Sequence, residues 1–318
     1  MREQKTILLF GMPRSGTTWI GKIFDSHQDT YYLHEPDSAQ PIKGLPLVVQ
    51  PNSADAEKVY QATNEWLKVN DEKVTASRPF FEKSYMNFWQ FKLYLGSAYL
   101  SKLAHKLNLP FFKKPIRKQS TPPVIVWKSI ESLARIGAIQ KHCDAMAVQI
   151  LRHPCGNIAS TLRGEKQRKF DSSIPVYEDW DLFDKLLKQS GETRFNLADL
   201  KAMPPEKRLA IRWGIMNDLA LKQVNSDKSI VLVYEDICRS PRSEVEALFE
   251  KLNLKLGKET IQFVVGSTEK EDEAYYATNK KPLVAAYKWK DELTELQQKA
   301  IFETISLFSS GKYYLDDF

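Results

Sequence analysis

Short apolar runs alternate along this chain with stretches of helical spacing. Thr6–Phe10 is an apolar run closed by Gly11, and Trp19–Phe24 follows with helical periodicity, so the pattern predicts strand, loop, helix. Tyr31–Leu33 is a second short strand that stops at His34-Glu35-Pro36, and residues 124–127, 147–151 and 229–234 complete the set of buried-type strands. Helices are predicted over 55–69, 130–140, 157–164, 206–224, 241–252 and 293–307. An aromatic helix over 85–107 repeats Phe88, Phe91, Leu95, Tyr99 and Leu103 at three- and four-residue intervals, which predicts a face laid over the sheet or lining a cleft. Residues 171–195 are polar, acidic and aromatic without clear period and read as a mobile excursion. Strands alternating with helices predict a three-layer α/β/α domain with a central parallel sheet, one domain over 1–318 with acceptor-side insertions near 40–120 and 165–205.

The composition supports a core-forming protein: 318 residues, 42% hydrophobic, 27% charged, net charge +6 and mean hydropathy −0.42. No apolar run reaches the roughly 18 residues that could span a bilayer, and a motif begins about ten residues after Met1, so neither an integral membrane segment nor a signal peptide is expected. Three dispersed cysteines, Cys143, Cys155 and Cys238, offer no disulfide framework or zinc spacing and point to a reducing, cytoplasmic setting. Between Lys83 and Ile130 there is no acid and a charge of +9, leaving −3 for the rest. That concentration is expected to form a basic surface facing an anion, or a solvated basic face. No nucleic-acid signature accompanies it.

In a parallel sheet, ligands bind beyond the carboxyl ends of the strands, so the loops after Phe10, Leu33, Trp127 and Leu151 should converge. Gly11–Thr18, GMPRSGTT, has the spacing of a Walker A loop, with Thr17 where lysine belongs. Backbone N–H groups and a helix N-terminus can still seat a phosphate. The missing lysine argues against phosphoryl transfer, and Arg14 supplies a cation from elsewhere in the loop. A second strand-to-helix loop, Leu151–Ser160, offers Arg152 for a bidentate grip on a phosphate, with Ser160 as a further donor. Two separate phosphate sites point to a nucleotide phosphorylated at both 5′ and 3′ positions.

PRSGTTW over Pro13–Trp19 together with LRHPCGNIAS over Leu151–Ser160 resembles the 5′-phosphosulfate loop and 3′-phosphate motif of sulfotransferases that use 3′-phosphoadenosine 5′-phosphosulfate (PAPS). Tyr234-Glu-Asp236 and the segment 241–254 extend the likeness. The resemblance implies a P-loop-like sulfotransferase fold, PAPS as donor, 3′-phosphoadenosine 5′-phosphate (PAP) as product, and no metal. It assigns Arg14, Ser15, Gly16, Thr17 and Thr18 to the 5′-phosphosulfate and Arg152 and Ser160 to the 3′-phosphate. Trp19 packs by the adenine or belongs to the core, and Lys280 and Lys281 are candidates for the 3′-phosphate. Lys128-Ser129 matches the cytosolic small-molecule type, but Ile130 stands where that type has its basic histidine. Glu35-Pro36 resembles the element of carbohydrate and bacterial sulfotransferases whose glutamate is the base, which makes Glu35 the expected base, His34 the second choice, and Lys128 a cation on the transferring group. The expected acceptor is a hydroxyl-bearing molecule, anionic or glycan- or lipid-like. The alternatives are a P-loop kinase using Mg-ATP, with Ile230–Asp236 as a Walker B strand, and a non-catalytic nucleotide-binding scaffold. Acceptor identity and oligomeric state stay open.

Overall fold

The computed structural model describes residues 5–106, 114, 122–169, 172–269 and 282–317. In chain order it runs β1 (Thr6–Gly11), α1 (Thr17–Asp25), β2 (Thr30–His34), α2 (Pro36–Ala39), α3 (Ala56–Trp66), α4 (Glu72–Thr75), α5 (Phe88–Lys106), β3 (Val124–Ser129), α6 (Ile136–Cys143), β4 (Met146–Leu151) and α7 (Pro154–Lys166). It continues with α8 (Trp180–Ser190), α9 (Leu197–Ala202), α10 (Pro205–Gln223), β5 (Ser229–Val233), α11 (Tyr234–Arg239), α12 (Pro241–Lys251), α13 (Lys258–Glu269), α14 (Pro282–Tyr287), α15 (Trp289–Glu292) and α16 (Glu295–Ile305).

Each of the five predicted strands forms, and among the described residues they make one parallel sheet in the order β2-β3-β1-β4-β5. Successive parallel strands need crossovers, which α1, the α2–α5 run, α6 and the α7–α10 run supply. β1 sits in the middle and is buried on both faces. Its side chains alternate between two cores, as the two-residue period of a strand requires. Leu8 and Phe10 pack with Trp127, Val59, Trp66 and Ile139. Ile7 and Leu9 pack with Ile20, Phe24, Val148 and Phe249 on the opposite face. Phe10 is paired with Ser129 and Gly11 with Ile150, so β1, β3 and β4 end level. His34 is level with Lys128. Four loops therefore leave the sheet on one edge.

Three expectations change in the structure. Residues 180–190 are a regular helix, α8, rather than an excursion: Asp179 caps its start by accepting from Leu182 N at 3.0 Å, Gly191 ends it at φ 72°, and Phe183, Leu186 and Leu187 are buried on one face. The aromatic face of α5 does not cover the sheet. Among the α5 side chains that the structure describes, Tyr94 and Ala98 are buried, while Phe88, Trp89, Leu93, Tyr99 and Leu100 are exposed.

The acid-free stretch is not simply a basic surface, because Lys83, Lys114 and Lys128 are buried. Lys83 and Lys114 surround Asp25 together with Lys22, at 3.3, 3.9 and 2.7 Å. Burial alone would raise the Asp25 carboxyl, but the three ammonium groups together hold it well below the usual carboxylate range. Lys114 lies 5.3 Å from the Tyr31 ring centre, and Lys83 also donates to His27 O and Thr30 Oγ1.

Candidate active site

The loop from Gly11 to Thr18 turns from β1 into α1. Arg14 (φ 70°) and Gly16 (φ 80°) both adopt left-handed backbone. Gly16 is required twice over. A Cβ there would lie 2.1 Å from the ring of Tyr234, and the conformation itself disfavours a side chain. Ser15 and Thr17 are buried, whereas Thr18 is exposed on the first turn of α1. Ser15 N closes the turn on Met12 O at 3.1 Å.

The loop after β4 is bonded to this one. His153 caps α7 by accepting from Cys155 N at 3.1 Å, and Pro154 occupies the first helical turn. Asn157 donates to Pro13 O at 2.8 Å and to Ser15 Oγ at 3.2 Å. Arg152 donates to Arg14 O at 2.6 Å and to Ala285 O at 3.1 Å, with its guanidinium 4.9 Å from the centre of the Tyr234 ring. Arg14 Nε donates to Ser160 Oγ at 3.1 Å. Arg14, Ser15, Arg152 and Ser160, read from two motifs 138 residues apart, thus form one hydrogen-bonded cluster.

Trp19 is buried against Tyr234, the ring that also stands beside Gly16 and Arg152, and donates to Ser267 Oγ at 3.0 Å. Cys155 is also buried, and burial pushes its thiol far above the ordinary range, as expected of a filler and not of a nucleophile. Lys280 and Lys281 lie outside the described residues.

At the ends of β2 and β3, Glu35 and Lys128 meet. Glu35 N donates to Lys128 O at 2.9 Å, and the Lys128 ammonium donates to Glu35 Oε1. Glu35 stands at φ 50°, ψ 54°, at the start of α2 with Pro36 behind it. A glutamate in left-handed backbone is strained, and such strain gathers at functional positions. The Lys128 side chain is 2% exposed and that of Glu35 is 20%, so the carboxylate is the member of the pair that solvent or an acceptor can reach. Burial lowers the Lys128 ammonium, and Glu35 opposes that shift. His34, next along, shares a hydrogen bond of 3.0 Å between its Nδ1 and Tyr32 OH. Burial, and then the charge of Lys128, bring its imidazole down to about 3. It is therefore neutral near pH 7.

Sequence reasoning passed over Asn157, although it sits inside the second motif, and Tyr234, whose ring fills the space beside Gly16. It also passed over Asp37, which accepts from Ser129 Oγ at 2.5 Å and from Ser132 Oγ at 2.6 Å and so ties α2 to the loop after β3. The acids of the supposed Walker B strand are occupied. Glu235 accepts from His153 N and from Tyr314 OH, both at 3.1 Å, and Asp236 pairs with Arg239 at 2.8 Å.

A parallel α/β sheet carrying a phosphate loop without its lysine after β1, a lysine at the end of the adjacent β3, and its glutamate partner at the end of β2 beyond that, defines a group-transfer site of the P-loop-like kind. The chain belongs to the sulfotransferase family, whose profile matches residues 6–258. It is 21% identical to carbohydrate sulfotransferase 1 of Mus musculus over 91% of this chain and 74% of that protein, and equally to the Rattus norvegicus protein. Among solved structures it is similar to the sulfotransferase domain from the curacin biosynthetic pathway, at TM-score 0.44 and 14% identity, over 96% of this chain and 99% of that one. Mouse sulfotransferase SULT7A1 complexed with PAP matches at TM-score 0.42 and 13% identity, over 100% and 90%. Among the described residues no helix is long and apolar enough to cross a membrane, and no group of three or more His, Cys, Asp or Glu side chains is placed to hold a metal.

Proposed function

We propose that this sulfotransferase moves a sulfonate from PAPS to a hydroxyl of a carbohydrate or glycolipid-like acceptor, with Glu35 as general base. The observation that carries the reading is the Glu35–Lys128 pair, held in strained backbone on the strand edge from which the Gly11–Thr18 loop also leaves. In-line transfer forms a bond from the acceptor oxygen to sulfur as the bond from sulfur to the 5′-phosphate oxygen breaks, and PAP departs with the electron pair of that bond. The acceptor's proton goes to Glu35 Oε. Lys128, otherwise paired with Glu35, stabilises negative charge on the sulfonate or bridging oxygen.

Backbone N–H groups of the loop, with Ser15, Thr17, Thr18 and Arg14, hold the 5′ side. Arg152 and Ser160 hold the 3′-phosphate, with Arg14 positioned between the two. His34 Nδ1 is engaged with Tyr32 OH, whereas the Glu35 carboxylate is open to an acceptor, which favours Glu35 as the base. The resemblance of this chain to a carbohydrate sulfotransferase supports the acceptor class.

Calorimetric titration with PAP beside ADP and Mg-ATP tests the donor. Micromolar binding that needs the 3′-phosphate is the expected result. Tighter binding of Mg-ATP, indifferent to that phosphate, would overturn it.

A further inference from the structure

The turn that carries Glu35 is held from outside itself. Glu35 stands at φ 50°, and the helix that follows, α2, is one turn of four residues. Neither a left-handed glutamate nor so short a helix is stable alone. The backbone closes locally through Ser38 N and Ala39 N, which donate to Glu35 O at 3.1 and 3.0 Å. Just past α2, Gln40 O accepts from Trp66 Nε1 at 2.9 Å. Asp37, in the first turn of α2 and 4% exposed, reaches across to the segment that follows Lys128. Its Oδ2 accepts from Ser129 Oγ at 2.5 Å and from Ser132 Oγ at 2.6 Å.

Ser129 and Ser132 are fully buried. Ser129 Oγ also accepts from Glu131 N at 3.1 Å and from Ser132 N at 3.0 Å, so one hydroxyl folds the turn after β3 and gives its proton to Asp37. Without Asp37, two buried hydroxyls would lose their acceptor. The segments bearing Glu35 and Lys128 are thus clamped twice, by Glu35 N on Lys128 O and by Asp37 on Ser129 one residue later. Charge acts on the same pair. Lys128 is flanked in the sheet by Leu9 of β1 and His34 of β2, the latter neutral near pH 7. Burial pushes the Lys128 ammonium down, while Glu35 first, then Asp37 and Glu131, act to raise it.

We infer that Asp37 is the positioning residue of this site: it fixes the left-handed Glu35 turn against the end of β3 and so sets where the carboxylate and the Lys128 ammonium meet. The inference rests on the reading of Glu35 as base and Lys128 as cation.

The test uses the full chain and two readings that need no acceptor. Amide hydrogen exchange followed by NMR reports the turn: Asp37→Ala should quicken the Glu35 N–H by at least about tenfold while the amides of the central strand β1 keep their rates. Carbon-13 NMR of the lysine Cε atoms, with Lys128 assigned from Lys128→Arg, reports the charge. Asp37→Asn keeps an acceptor oxygen for the two hydroxyls and removes the charge. It should lower the Lys128 titration midpoint by at least about half a pH unit and leave Glu35 exchange near wild type. PAP affinity by calorimetry should stay within a few-fold in both variants. PAP release from PAPS, with methyl β-D-galactopyranoside as acceptor probe, should fall by about tenfold to a hundredfold in Asp37→Ala. Unchanged Glu35 exchange, exchange raised equally in β1, an unmoved Lys128 midpoint, or undiminished PAP release in Asp37→Ala would each overturn the role. If Asp37→Ala does not fold, Ser132→Ala, which removes one of the two donors, takes its place in the exchange measurement, with an increase in the same direction expected. Wild-type PAP release in Glu35→Gln, beside the expected NMR readings, would instead remove the base assignment and leave Asp37 as the residue that shapes the pair.

Discussion

Two buried ammonium–carboxylate sites stand at opposite ends of β2, and they are built on different logic. At the start of the strand, Asp25 is enclosed by Lys22, Lys83 and Lys114, and the lysines are further held by Pro79 O, His27 O and Thr30 Oγ1. At the far end, Glu35 and Lys128 form a single pair in left-handed backbone, with the carboxylate reachable from outside. The first site joins α1, β2 and the segment around residue 83, with every charge out of reach of solvent. The second leaves a carboxylate open in a position that strain would remove if nothing required it. Burial of charge alone does not mark a reactive site. Access and strained geometry do.

The sharpest way to break this comparison is Glu35→Gln. Turnover from PAPS should fall by about 10²–10⁴-fold, the range of a lost general base, while PAP affinity measured by calorimetry stays within a few-fold. Loss of both together would make Glu35 a structural residue like Asp25. At the other end, Asp25→Asn leaves three buried ammonium groups without their counter-charge and should destabilise the fold by about 3–5 kcal/mol in urea titration. A change under about 1 kcal/mol would mean the lysines relax to solvent. On the donor side, Arg152→Ala should weaken PAP by about 10–100-fold and ADP far less, because the guanidinium is assigned to the 3′-phosphate.

The smallest effect concerns pH. Burial, reinforced by Lys83 and Lys22 against the opposing pull of Asp25, lowers the Lys114 ammonium to about 7 in the folded chain, against 10.5 in its absence. Between those values the unfolded chain holds a proton that the folded chain has released. Stability should therefore rise as pH goes from about 7 towards 10, by at most about 1.4 kcal/mol per unit. Relative to wild type, Lys114→Met should flatten the slope of urea midpoint against pH in that window. An unchanged slope would show that Lys114 stays protonated.

Much of this was readable from single residues and their spacing. The strands were, because each is a short apolar run bounded by polar or small residues, and a parallel sheet buried on both faces needs such runs. The phosphate loop was, because Gly16 and the small residues around it have few other uses between a strand and a helix. Helix α8 carried its own signals, Asp179, Gly191 and the spacing of Phe183, Leu186 and Leu187, but its acidic and aromatic composition obscured them. The fates of Lys22, Lys83, Lys114 and Lys128 had no local signature, since a lysine's burial depends on a carboxylate arriving from a distant part of the chain.

By itself the sequence determined the order of strands and helices, the four loops that could bear chemistry, and the residue types available in them, because these follow from local periodicity and backbone preference. Only the tertiary structure decided that Arg14 reaches Ser160, that Trp19 is buried against Tyr234, that Glu35 takes Lys128 as its partner, and that Asp37 ties α2 to Ser129 and Ser132. Those are contacts between residues far apart in the chain, or choices among several possible partners, and packing alone selects among them.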